Sequence, residues 1–281
     1  MQKTLKKYFL IFTLPTLIAF CLAFVIPFIL GVYLSFCKFT TVDNATFNGI
    51  SNYINVFDST SGFLAALGFT IKFVIVAIIS INVLAFALAL LLTKKIKGTN
   101  VFRTVFFMPN LIGGIVLGYT WQQMLNAILL QYEKTLISSP TYGYWGLILL
   151  MNWQMIGYMM IIYIAGLQNV PTDLLEAAKI DGATSIQTLF KVTIPMVMPS
   201  ITICTFLTLS NSFKLYDQNL ALTAGAPGHK TEMVALNIVN SFYGRTGFEG
   251  VGQAKALIFF VIVALVGLMQ VVFTRKREVE Q

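Results

Sequence analysis

Phe73-Val-Ile-Val-Ala-Ile-Ile-Ser-Ile-Asn-Val-Leu-Ala-Phe-Ala-Leu-Ala-Leu-Leu-Leu-Thr93 runs for 21 residues without a charge. It matches the roughly 20 apolar residues a helix needs to cross a bilayer. Outward from it the same pattern recurs at Tyr8–Cys37, Thr104–Tyr132, Thr135–Thr172, Val192–Phe213 and Ala256–Thr274. Ten-residue alternating segments, the mark of a membrane barrel, are absent, and a span in lipid must satisfy its own backbone. The reading is therefore an all-α polytopic membrane protein with six transmembrane helices. Their bounds are about 8–36, 70–93, 104–130, 145–168, 197–220 and 256–274, in one transmembrane domain over 1–281.

Composition agrees: 57% of residues are hydrophobic and 11% charged, against roughly 45–50% and about 25% in soluble domains. The first apolar run follows Lys3, Lys6 and Lys7 but is about twice the length of a signal-peptide core and meets no small-residue cleavage site, so it reads as a span. The net charge of +8 does not indicate nucleic acid, because the cations cluster at alternate span ends. Lys3, Lys6, Lys7, Lys94, Lys95, Lys97, Arg103, Lys179, Lys191, Arg275, Lys276 and Arg277 place 12 of the 19 on one side. That side is the cytoplasm by the positive-inside rule, and both termini lie there.

Two connections have length. The inner one reads Val170-Pro-Thr-Asp-Leu-Leu-Glu-Ala-Ala-Lys-Ile-Asp-Gly-Ala-Thr-Ser-Ile-Gln-Thr-Leu-Phe-Lys-Val-Thr-Ile-Pro195. It parses as two short helices: Thr172 caps the first, Gly182 stops it after Asp181, and Thr184 or Ser185 caps a second that Pro195 ends. Leu174, Leu175 and Ala178 share a face, while Glu176, Lys179 and Asp181 stay hydrated.

Glu176-Ala177-Ala178, three residues, Gly182, nine residues and Val192-x-Ile194-Pro195 resemble the signature loop of ABC-importer permeases. Arg103-Thr-Val-Phe-Phe-Met-Pro109, Glu176-Ala-Ala-Lys-Ile-Asp-Gly-Ala183 and Leu222-Thr-Ala-Gly-Ala-Pro227 are similar to the maltose-type carbohydrate permeases within that family. The resemblance implies a type I ABC-importer permease fold. It implies that the segment 170–195, with Leu175, Glu176, Ala177, Ala178, Asp181, Gly182 and Ala183, couples to an ATPase. The implied partners are a second homologous permease, two ATPase subunits and an extracellular or periplasmic solute-binding protein. The implied cargo is a sugar or oligosaccharide, with another small polar solute as the alternative.

A polar solute needs polar side chains at membrane depth. Ser210, Asn211, Lys214, Asp217 and Gln218 fall on one helical face of the fifth span, with Lys214 and Asp217 spaced to neutralise each other. Tyr119, Gln122, Gln123 and Asn126 follow helical spacing in the third span, and Asn152, Trp153, Gln154 and Tyr158 sit in the fourth. Gly114 and Gly118 form a small-residue pair suited to helix packing.

Catalysis finds no support. The nearest approach to a nucleotide loop, Gly225-Ala-Pro-Gly228-His229-Lys230-Thr231, has the wrong spacing. His229 has no ligand set around it, and Cys21, Cys37 and Cys204 lack metal spacing. The chain is expected to be no enzyme and to hold no cofactor or metal, with ATP and Mg bound by the partner ATPase. An ion-coupled carrier would show broken helices and several buried ionisable groups, and only Lys72, Lys214 and Asp217 approach that.

Overall fold

The structure, a computed structural model, describes residues 2–94 and 97–276, with side chains placed at residue 9 and from residue 11 onward. Of the inner-side cations above, the side chains of Lys3, Lys6 and Lys7, and Lys95 and Arg277 altogether, fall outside that description. α1 (Gln2–Phe20) passes through a π-helical turn into α2 (Ile26–Leu34). A short antiparallel ladder pairs β1 (Cys37–Lys38) with β2 (Thr46–Phe47). There follow α3 (Ser51–Val56), α4 (Phe63–Leu92), α5 (Thr99–Phe107), α6 (Gly114–Leu129) and α7 (Pro140–Gln168). The rest comprises α8 (Thr172–Ile180), α9 (Ser185–Thr188), α10 (Ile194–Met196), α11 (Met198–Phe213), α12 (Asp217–Leu222), α13 (Val234–Tyr243) and α14 (Glu249–Arg275).

Among the described residues four helices are each long and apolar enough to cross a bilayer: Ile11–Leu34, α4, α7 and α14. Two bent pairs bring the number to six when each counts as one span. Thr99–Leu111 meets Gly114–Tyr132 at 102°, and Ser185–Met196 meets Met198–Phe213 at 71°. The third span, expected as continuous over 104–130, is thus broken, whereas the second bend coincides with the expected start of the fifth span at 197. Pro109 lacks the N–H that would continue α5, and Gly113-Gly114 follow it. The second helix of the 170–195 segment does not end at Pro195. A π-helical turn at Leu189–Thr193 absorbs that proline, and the chain bends at Val197, ahead of Pro199.

Helices also begin earlier than charge placement predicts. α4 starts at Phe63 and runs through Lys72, whose Nζ lies 4.9 Å over the Tyr144 ring. α14 starts at Glu249 and runs through Lys255. That lysine is 2% exposed and donates to Ser61 O and Ser241 Oγ, each at 2.8 Å.

The chain forms two compact units. The first holds residues 1–63 with 238–260. In it Phe28 meets Phe260 edge-on at 5.3 Å, and Asn52 donates to the carbonyls of Ser35 and Cys37. Asp58 caps the turn before α4 by accepting from Thr60 N at 2.8 Å and Thr60 Oγ1 at 2.9 Å. Those bonds hold its carboxyl below the usual range.

The second unit spans 64–237 and continues from 261. Its centre is α7, apolar almost all round: Leu147, Leu150, Met151, Met159, Met160 and Tyr163 are buried. A polar chain crosses it. Tyr163 Oη donates to Asn82 Oδ1 at 2.7 Å, and Asn82 Nδ2 donates to Thr208 Oγ1 at 3.3 Å, joining α7, α4 and α11. Arg103 Nη2 donates to Leu92 O at 2.9 Å and so closes the C-terminus of α4.

The loop after α12 is organised by one buried asparagine. Asn219 Nδ2 donates to Thr231 O (2.8 Å) and Thr223 Oγ1 (3.1 Å), and its Oδ1 accepts from Met233 N (2.9 Å). Asn219→Leu leaves two backbone groups unpaired in a buried site and is expected to destabilise the chain by about 2 kcal/mol. The check is a lowered thermal midpoint in detergent together with faster proteolytic nicking between 223 and 233.

Candidate functional site

α7, α11, α12 and the turn after α5 line an open cavity of about 440 Å³. Its lining is Asn110, Met151, Gln154, Met155, Tyr158, Leu207, Asn211, Lys214, Leu215 and Gln218. Of the predicted pathway residues, Tyr158, Asn211, Lys214 and Gln218 meet here. They do not do so as one helical face. α11 stops at Phe213, where Lys214 leaves helical geometry at φ −84, ψ 8, and α12 restarts at Asp217. Neither Pro nor Gly marks that stop, and no sequence signal predicts it.

The break separates Lys214 from Asp217, and among the described residues no ion pair joins them. Asp217 is exposed, its Cβ turned to the start of α6. Ser210 is half-buried and off the cavity wall. Lys214 therefore stands at the cavity as a cation, beside amides, a phenol and two thioethers.

The other predicted residues lie elsewhere. Gln122 Nε2 donates to Leu222 O at 3.0 Å, and Asn126 Oδ1 accepts from Leu136 N at 2.8 Å. Asn152 Nδ2 donates to Ser80 Oγ at 3.0 Å, joining α7 to α4. Trp153 packs edge-on against Trp121 at 5.7 Å, and Tyr119 is exposed. Gly114 and Gly118 do pack helices together: a Cβ on Gly118 would come 2.6 Å from that of Ala221, so α6 lies directly on α12. Six of the ten lining residues lie outside the predicted pathway set, Asn110 and Gln154 being the polar ones. Asn110 follows Pro109 at the end of α5, where the proline is the available signal. Gln154 stands one turn before Tyr158, and helical spacing gives it only a place in the fourth span.

The segment 170–195 is a second candidate site. Thr172 is the first helical residue rather than the cap. Gly182 adopts φ +76, with Gly182 N donating to Lys179 O and Ala183 N to Ala178 O, so α8 ends where predicted. Thr184 caps α9 through a reciprocal pair with Gln187. Leu175, Ala178 and Ala183 are half-buried, whereas Glu176, Ala177, Asp181 and Gly182 are exposed. No residue from 171 to 190 is buried, and Ile180, Ile186 and Phe190 show 85%, 70% and 64% of their surface. This segment is therefore left uncovered by the described residues of the chain.

Chemically the cavity can exchange hydrogen bonds with a polar solute. Among the described residues no group of three or more His, Cys, Asp and Glu gathers anywhere.

Residues 81–279 match the family described as binding-protein-dependent transport system inner membrane component. The chain is 43% identical to the probable starch degradation products transport system permease protein AmyD of Thermoanaerobacterium thermosulfurigenes, over 97% of this chain and 96% of that one. It is 31% identical to the multiple sugar-binding transport system permease protein MsmF of Streptococcus mutans, with 99% of each covered. Among solved structures it resembles a chain from a bacterial ABC transporter involved in the import of the acidic polysaccharide alginate. The TM-score is 0.81, at 19% identity and with 98% of each chain covered. That structural likeness speaks to the fold, which is that of a type I ABC-importer permease.

Proposed function

Because the chain belongs to the binding-protein-dependent transport system inner membrane components, a family of multi-pass permeases, we propose that its cargo is a sugar or oligosaccharide and that the cavity between α7, α11 and α12 lies on the cargo's path. The observation that carries the reading is the cavity wall: Asn110, Gln154, Tyr158, Asn211 and Gln218 offer amides and a phenol among helices of membrane-spanning composition. Hydroxyls of a neutral sugar exchange hydrogen bonds with such groups. The transport names of the relatives AmyD and MsmF point to the same class.

On this reading the chain supplies half of the path and a second, related permease the other half. Two ATPase subunits bind ATP and Mg and receive the knob from Leu175 to Ala183. A solute-binding protein delivers cargo from outside, and both termini are cytoplasmic. The two broken spans are a feature also expected of an ion-coupled carrier. Family membership and the exposed knob favour ATP drive.

The test is uptake into vesicles carrying the assembled complex. Uptake that follows ATP and ignores an imposed ion gradient is the expected result, and the reverse dependence would sink the proposal. Asn211→Leu removes an amide from the wall and is expected to lower sugar uptake about ten-fold, the effect of roughly one hydrogen bond to a bound solute. Wild-type uptake in that variant would take the cavity off the path.

A further inference from the structure

The bend in the third span leaves backbone groups without helical partners, as every helix end does. One of them, Ile112 O, accepts from Gln154 Nε2 at 3.3 Å. A backbone carbonyl has no hydrogen to give, so the amide of Gln154 must turn its nitrogen to the bend and its oxygen away. That oxygen accepts from Gln218 Nε2 at 2.8 Å. Side-chain amides are ordinarily free to present either end. Here one carbonyl orders two of them in series.

Resting on the reading of this cavity as the cargo's path, we infer that Gln154 is a positioning residue that sets the hydrogen-bond polarity of the cavity wall and thereby selects cargo rich in hydroxyl donors. Gln154 is 8% exposed, which hinders the swing that would reverse the order. Gln218 has given one N–H to Gln154 and is held with Oε1 uncommitted. Asn211 is ordered in the same sense by its own helix. Its Nδ2 donates to Leu207 O at 2.9 Å, leaving Oδ1 uncommitted. Two amides on the wall therefore keep acceptor oxygens available. A solute hydroxyl can donate to each, and a solute whose hydroxyl is etherified cannot.

The chain of bonds makes a prediction about inversion. In Q154K a side chain with only donors faces both Ile112 O and Gln218. Gln218 then turns its oxygen to the lysine and its N–H to the cavity. In Q154K/Q218E the carboxylate accepts from the lysine with one oxygen and offers the other to the cavity, which restores the original polarity. A residue that merely filled space would show no such reversal and rescue.

The experiment uses the assembled complex in vesicles, with ATP and one fixed binding protein, and compares uptake of maltotriose with that of a maltotriose carrying a single methyl ether. The ratio between the two, compared across variants, cancels the binding protein's own preference. Wild type is expected to favour maltotriose, Q154K to lower the ratio about ten-fold, and Q154K/Q218E to return it to within about three-fold of wild type, a tenfold step being the effect of one hydrogen bond. An unchanged ratio in Q154K, or no recovery in the double variant, overturns the inference. Should Q154K fail to assemble, Q218L serves: deleting the Gln218 oxygen must also lower the ratio, and an unchanged ratio again overturns it. If N211L lowers uptake while the ratio ignores Gln154 and Gln218, the relay alone falls. If N211L and Q218L both behave as wild type, the cavity is not the path and the proposed function loses its site.

Discussion

Valine in place of Gly182 is expected to cut ATP-driven uptake about ten-fold or more while the chain still inserts and assembles. Gly182 sits at φ +76 between α8 and the capping pair of α9. No atom lies within 4 Å of where a Cβ would stand, so the effect is one of backbone conformation rather than collision. The left-handed region costs an L-residue roughly 1–2 kcal/mol, and a β-branched one more. The turn then relaxes toward negative φ and re-aims α9 and the exposed Ile186 and Phe190 relative to α8. Nothing from 171 to 190 is buried, so the rest of the fold does not depend on that turn. The distinguishing measurement is a split: co-purification with the ATPase retained, hydrolysis detectable, uptake lost. Normal uptake in the Gly182→Val variant would argue that the knob transmits no motion.

Gly157→Val is expected to have the opposite profile, with loss of the folded chain itself. A Cβ at Gly157 would collide with the carbonyl of Phe106 and lie 2.8 Å from Phe107 N, so the backbones of α5 and α7 are in direct contact there. Small residues permit this approach between membrane helices. Ordinary overpacking costs about 1–3 kcal/mol, and here the obstacle is backbone in a helix next to the bend, which has no rotamer to change. A loss of about 3 kcal/mol or more is expected, read as a collapsed monodisperse peak and a lowered thermal midpoint in detergent. The control is Gly68→Ala in α4, where nothing lies within 4 Å and φ is ordinary. It is expected to be neutral or to stabilise by up to about 1 kcal/mol. Equal behaviour of the two variants would refute the close approach.

The helical class and the number of spans were legible in the apolar runs, because burial in lipid demands long runs of apolar helix whatever their neighbours are. The exposed knob was equally legible: Gly182, Thr184 and Gln187 act on backbone within four residues, and local rules suffice for local bonds. Helix bounds were less so. The expected bounds start the second and last spans at 70 and 256, yet α4 begins at Phe63 and α14 at Glu249, where a ring face accommodates Lys72 and hydroxyl and carbonyl oxygens hold Lys255.

The candidate cavity was half legible. Polar residues at membrane depth pointed to Asn211, Lys214, Gln218 and Tyr158. The same periodicity carried Ser210 and Asp217 along with them, on a helix that in fact ends at Phe213. It also put forward Gln122, Asn126 and Asn152, which make hydrogen bonds to other segments of the chain and do not line the cavity.

The residues by themselves determined that this chain lives in a membrane as helices and where its exposed knob folds, which follow from hydropathy, capping and short-range turns. Its family was legible through the resemblance of its motifs, not through those rules. The tertiary structure alone decided which amides face the cavity and which way Gln154 and Gln218 point. Each of those outcomes depends on hydrogen-bond partners tens of residues away, and hydropathy and helical spacing carry no record of them.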